Sequence, residues 1–178
     1  MVAAGHMSMT IAIDHSTAVT TEALVVDPDR SEIGFAVREM WGLRAVRGVF
    51  RTYEGGLDGR AGELTIEAGS LDTGNERRDR HLRSSDFFDV ERHPRIVFAA
   101  AAVTARVVTG ELAIGSARVR LEIPVKVEEI AEGVLRLEGE TTVSREVLGL
   151  GWNRLGMIRG DATLRARLTL RPARPARA

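Results

Sequence analysis

Apolar and polar residues alternate along most of the chain. Ile33, Phe35 and Val37 share a face against Gly34, Ala36 and Arg38, and Val46, Gly48 and Phe50 share one against Arg47, Val49 and Arg51. A period of two sends successive side chains to opposite faces, so each run reads as a β-strand with one apolar face. Ala23 to Val26 is a shorter strand, stopped by the turn chemistry of Asp27-Pro28-Asp29. Gly42 lies in the connection between the two full strands, and Gly48 reads as a bulge or tight bend. Gly55-Gly56 and Gly59 punctuate the next turn, and Leu64, Ile66 and Ala68 make a third alternating run.

At Asp72 the pattern changes. Thr73 is placed to cap a helix that begins at Gly74, with Glu76 three residues later at the capping-box spacing. From there to about Arg83 the side chains are long and straight, with no proline and no β-branched residue. Glu76 with Arg80, and Asp79 with Arg83, fall four apart in the favourable acid-then-base order. Leu82, Phe87 and Phe88 come late, before His93-Pro94 ends the segment. A short polar helix followed by an aromatic pair fits a lid laid over the end of a sheet or barrel.

Alternation then resumes. Ile96 and Phe98 belong to one strand, which continues into a featureless Ala99 to Ala102. Val107 to Ile114 and Ala117 to Val127 pair across Gly115-Ser116, a two-residue turn. Pro124 removes a ladder hydrogen bond there and marks an edge strand or a bulge. Glu132-Gly133 turns into Val134 to Ser144, Arg145 to Asn153 is irregular, and Asp161 to Leu170 closes the series. Eight or more one-faced strands and one helix call for a sandwich or a barrel, mainly β. The connections are too short for parallel crossovers, so the sheet is antiparallel. An eight-stranded barrel either packs its interior with side chains or holds one small apolar ligand. Close-packed interiors are the general rule, and the pattern alone leans toward a filled barrel.

The 178 residues fit one domain, spanning residues 22–171, with a disordered lead-in over 1–21 and a disordered Pro-Ala-Arg tail over 172–178. The 25 basic and 25 acidic residues balance, which gives no electrostatic case for nucleic acid as a partner. There is no cysteine, which excludes disulfides, thiolate zinc sites and cysteine nucleophiles. No apolar run approaches the ~18 residues of a membrane span. The start also lacks a basic segment followed by an apolar one, so the expected location is the cytoplasm. It would be the periplasm if Gly5-His6-Met7 is a cloning scar replacing a leader. His6, His15, His81 and His93 have no metal-ligand spacing, and no metal or other cofactor is expected. No nucleophile elbow surrounds any serine, and no glycine-rich phosphate loop follows a strand. Asp79 and His81 stand two apart on a helix and so face differently, a poor acid–base pair. No catalytic residue is assigned, and the chain is not expected to be an enzyme.

The longest motif is more specific than any of this. The run Thr73…Arg78-Asp79-x-His81-Leu82-Arg83-Ser84-x-Asp86-Phe87-Phe88-Asp89, with His93-Pro94 and Phe98 after it, resembles the YceI-like family. So do Asp27-Pro28-x-x-Ser31-x-Ile33-x-Phe35-x-Val37 leading into Val46-Arg47-Gly48-x-Phe50, and Ser144-Arg145-Glu146-x-x-Gly149-Leu150-x-Trp152-Asn153. The resemblance covers residues 22 to 171 and departs at Gly115-Ser116, where a longer connection is usual. It implies a lipocalin-like antiparallel barrel of about eight strands with one short helical insert. Its apolar tunnel would take a long isoprenoid lipid of the polyprenyl quinone or polyprenyl phosphate type. It also implies transient membrane contact and a homodimer.

By alternation, the tunnel candidates are Phe35, Val37, Phe50, Ile66, Phe98, Leu112, Ile114, Ile123 and Leu137, with Phe87 and Phe88 from the lid. Ordinary core packing is the competing role for each. Arg78, Asp79, His81 and Arg83 form the one concentrated polar cluster. At a tunnel mouth its arginines would meet a phosphate or quinone oxygen. The helical spacing favours a structural role, tying the insert to neighbouring backbone. A barrel with a filled core acting as a protein-interaction module is the first alternative to lipid binding, and an enzyme acting on a bound lipid the less favoured second.

Overall fold

A computed structural model describes residues 22–39, 44–144, 147–148 and 161–173. The lead-in before Glu22, Gly42, Trp152 and the tail beyond Ala173 lie outside the described residues, as does most of the motif from Ser144 to Asn153. The strands are β1 (Leu24–Val26), β2 (Glu32–Glu39), β3 (Arg44–Phe50), β4 (Tyr53–Asp58), β5 (Ala61–Glu67), β6 (Leu71–Asp72), β7 (Arg95–Val103), β8 (Val107–Ile114), β9 (Ala117–Ala131), β10 (Val134–Ser144) and β11 (Asp161–Pro172). One helix, α1 (Glu76–Arg83), joins β6 to β7.

β1 pairs with both β4 and β11, which closes an antiparallel ring of eight strands in the order β1–β4–β5–β7–β8–β9–β10–β11. The other three strands prolong the first members of the ring. β1 and β2 form one long strand broken by a 3-10 turn at Pro28–Arg30, and β3 and β4 one broken at Arg51 and Thr52. β5 and β6 are likewise broken by a 3-10 turn at Ala68–Ser70. Breaks strand backbone groups, which must find other partners. Ser70 Oγ accepts the Arg51 and Thr52 N–H groups at 3.2 and 3.1 Å. Ser31 Oγ accepts Thr169 N–H at 2.9 Å, and the Thr169 hydroxyl donates to Arg30 O at 2.8 Å. The Tyr53 hydroxyl donates to Ser31 O at 2.6 Å. The long strands therefore run up and down in chain order. One end of the barrel carries α1 and the β8–β9 turn, and the far end the β4–β5, β7–β8 and β9–β10 turns.

The pairing corrects several expectations. Gly55 and Gly56 belong to β4 and not to a turn, because neighbouring backbone comes too close to either Cα for a side chain to fit; the turn is Gly59-Arg60 alone. Gly48 sits in regular register opposite Phe35, with no bulge. Register shifts fall instead in β7, between Ala100 and Ala102, and between Val134 and Leu135 where β10 meets β9. β11 runs on to Pro172, and Ala173 N–H donates to Ala23 O. The helix starts at Glu76, not Gly74. Gly74 turns with φ +72°, and Asn75 is the N-cap, its side chain accepting Arg78 N–H at 3.0 Å. The Thr73 hydroxyl is drawn away to Asp79.

Candidate functional site

The ring encloses a cavity of about 330 Å³ that runs from a floor at the far end, where Val103 and Leu170 are buried, to the lid. Phe35, Val37, Phe50, Ile66, Phe98, Leu112, Ile114, Ile123 and Leu137 border it from the strands, and Phe87 and Phe88 from the segment after α1. Phe35, Leu64, Phe98, Leu121, Ile123 and Leu164 point inward yet stay only half-buried. Exposure on an inward face means that the side chains do not meet across the barrel, so the interior is not filled.

Among the described residues the ladder between β9 and β10 is incomplete. They pair from Val134 and Ala131 down to Gly139 and Val125 and no further, whereas β9 continues on β8 to the Gly115-Ser116 turn. Pro124 stands at the divergence. Its missing N–H costs nothing there, because among the described residues β9 has only one ladder from Ala117 to Pro124. The proline thus marks a local edge inside a strand that is otherwise interior. The inward face of this single-laddered stretch, including Leu121 and Ile123, is nowhere fully buried.

Over the other end lies the lid. Leu82, Phe87 and Phe88 turn toward the cavity, and Phe88 N–H donates to Leu82 O at 3.1 Å. Phe88 meets Phe50 edge-on with ring centres 6.2 Å apart, and Phe50 lies 5.7 Å from Phe35, so an aromatic chain joins lid to wall. The polar cluster divides by role. Asp79 is buried and accepts both the N–H and the hydroxyl of Thr73. Arg78 donates to Thr73 Oγ1 and Thr73 O at 2.8 and 2.9 Å, and also borders the cavity. Arg83 donates to Gly69 O and Leu71 O at 2.8 and 2.6 Å. Asp79 and Arg83, though spaced for an ion pair, are thus each held by other groups that lash the helix to β6. His81 is exposed, borders the cavity mouth and meets Phe87 edge-on at 5.1 Å.

The electrostatics are local. Arg51 donates to Asp72 Oδ2 at 2.8 Å and Gly74 N–H to Asp72 Oδ1 at 2.8 Å. Stabilising the charged form, first through Arg51 and then through Gly74, holds the Asp72 carboxyl below its usual range. Burial, then Glu32 and Asp29, pushes the Tyr53 phenol up. Among the described residues no three His, Asp or Glu side chains gather into a metal-binding group. No helix among them is long and apolar enough to cross a membrane.

Further lining residues extend the same alternation. Leu121 and Val125 flank Ile123 on β9, and Leu164, Ala166 and Leu168 line β11. Leu148 is buried against the cavity but lies in the irregular stretch after β10, where no period signals it.

The YceI-like domain family matches residues 24–170. A UPF0312 protein of Staphylococcus epidermidis is 29% identical over 140 residues, covering 71% of this chain and 81% of that protein. Among solved structures, Burkholderia cenocepacia BcnA superposes with a TM-score of 0.73 at 18% identity, over 81% of this chain and 98% of that one. A polyisoprenoid binding domain from Saccharophagus degradans, implicated in plant cell wall breakdown, gives 0.73 at 12% identity, over 85% and 99%. The Campylobacter jejuni YceI protein gives 0.64 at 19%, over 71% and 85%. With a match that spans the ring from its first strand to its last, this chain belongs to the YceI-like domain family.

Proposed function

We propose that the cavity binds the chain of a long isoprenoid lipid, of the polyprenyl quinone or polyprenyl phosphate type, for carriage, storage or sensing. The observation that carries this reading is the cavity itself. It is lined from every strand of the ring by apolar side chains; Arg78 and His81 of the lid segment border it, as do Glu63 on β5 and Arg165 on β11. Burying apolar chain is worth about 0.8 kcal/mol per methylene, and a micromolar Kd needs about 8 kcal/mol. Two or three buried isoprene units supply that in gross terms, and further units offset the ordering of the chain. A headgroup then sits at the lid, within reach of the remaining Arg78 donors. The likeness to the Saccharophagus degradans domain supports the same ligand class.

Binding fits the site better than turnover. The Asp79 carboxylate is buried and occupied by Thr73, so it is not available to His81 as an acid–base partner. An open lumen likewise fits a ligand better than a filled barrel used only as an interaction surface. The test is native mass spectrometry of delipidated protein with a polyprenyl quinone and a polyprenyl phosphate. One chain per barrel is expected. A folded barrel that takes up neither sinks the reading.

A further inference from the structure

Among the described residues, four glycines on inward strand faces each lie beneath an apolar side chain of a neighbouring strand. Gly48 lies under Phe35, Gly62 under Leu57, Gly110 under Phe98, and Gly139 under Val125 and Ile123. At Gly62 and Gly110 the adjacent backbone is also too close for any Cβ, so strand packing alone demands glycine. Gly48 differs. A Cβ there would meet only side-chain ends among its nearest atoms: Phe35 Cζ at 2.5 Å, Phe35 Cε1 at 2.7 Å and Thr73 Cγ2 at 2.9 Å. Phe35 and Gly48 are direct cross-strand partners, so a ring whose far edge rests on Gly48 is folded along the wall and does not stand across the lumen. Carbon atoms at rest lie ~3.5–4.0 Å apart, and a methyl on Gly48 would therefore force the ring about an ångström or more inward.

We infer that Gly48 is a specificity-determining residue: it is the recess that keeps Phe35 out of the ligand's path and so sets the bore just inside the lid. This rests on the isoprenoid reading and narrows it to the chain's cross-section. With the ring recessed the lumen passes a methyl-branched chain. With the recess filled, only a slimmer unbranched chain passes.

Two quinones with one headgroup test it, one bearing a polyprenyl tail and one a straight alkyl tail of equal length. Gly48→Ala is expected to weaken the polyprenyl quinone by about tenfold or more, the scale on which one methyl group discriminates in an apolar pocket, and the alkyl quinone much less. Adding Phe35→Ala to Gly48→Ala is expected to restore polyprenyl binding to the level of Phe35→Ala alone, which a merely destabilised barrel would not do. Unchanged binding in Gly48→Ala, or a loss that Phe35→Ala fails to rescue, overturns the inference. If Gly48→Ala does not fold, Phe35→Leu, which empties the recess, is expected to shift preference further toward the branched tail, and an unshifted preference overturns it. If wild-type protein binds neither quinone and no polyprenyl phosphate, the isoprenoid reading falls. The bore is then read by xenon in crystals: a site beside Phe35 in wild type and its loss in Gly48→Ala are expected, and equal occupancy overturns the inference.

Discussion

The far end of the barrel and its middle are built from the same strands with the same alternation, yet one is packed and the other open. At the far end Leu24, Val103 and Leu170 are 3%, 1% and 2% exposed. Between that floor and the lid, Phe35, Phe98, Leu121 and Leu164 point inward just as regularly but remain half-buried. The difference lies in what faces each side chain. Val103 and Leu170 lie inside the buried cluster, whereas Phe35, Phe98, Leu121 and Leu164 pack against it without being covered: there rings lie down on glycines and β9 parts from β10. Alternation fixes which face a residue occupies; it does not fix the distance to the opposite wall.

The comparison is broken most sharply by deletions at its two ends. Leu170→Ala should cost about 2–5 kcal/mol, the range for a fully buried leucine, read as a lowered urea midpoint at unchanged slope. Leu121→Ala on the open wall should cost about 1 kcal/mol or less, because much of its surface is already uncovered. Equal costs would mean that the middle is packed after all. Charge in the lumen comes next. Phe98→Asp and Phe35→Asp should abolish lipid uptake while circular dichroism still shows a folded barrel, since an unpaired carboxylate cannot share an apolar cavity with a hydrocarbon chain. Normal uptake by both would show that these faces do not contact ligand.

Arg83→Ala sharpens the division within the lid. It removes two hydrogen bonds from a charged donor to backbone carbonyls, a loss of about 1–3 kcal/mol in stability, with polyprenyl quinone and polyprenyl phosphate affected alike. A selective loss of the phosphate would move Arg83 from holding the lid to reading the headgroup. The smallest effect is acidic. The Asp72 carboxyl is depressed in the folded state, so its contribution is present above the ordinary carboxylate range and is lost as pH falls through the depressed value. Asp72 is part-exposed to solvent, which screens its charge, and the change should be slight. Hydrogen exchange in α1 should rise modestly in acid for wild type and stay flat for Asp72→Asn; identical profiles would remove Asp72 from the account.

Much of this was legible in the residues. The strands Val107–Ile114 and Val134–Ser144 stand where alternation puts them, and the inward faces of β2, β3 and β9 follow directly from their periods. β4 was not legible, because Gly55-Gly56 imitates a turn and only the approach of neighbouring backbone explains it. The helix start misled because Thr73 and Glu76 have capping-box spacing, while Gly74 takes a left-handed turn that delays the helix. The bonds of Arg83 to Gly69 and Leu71 were hidden because they cross from helix to strand break, where local spacing says nothing. The cavity was hidden for the same reason as the packed end: both are properties of distances across the ring.

The most direct test of the central claim is organic-solvent extraction of the purified protein, with mass spectrometry of the extract against an empty-vector control. One prenyl quinone or prenyl phosphate per barrel is expected. A clean extract that stays clean after incubation with a prenyl quinone would contradict it.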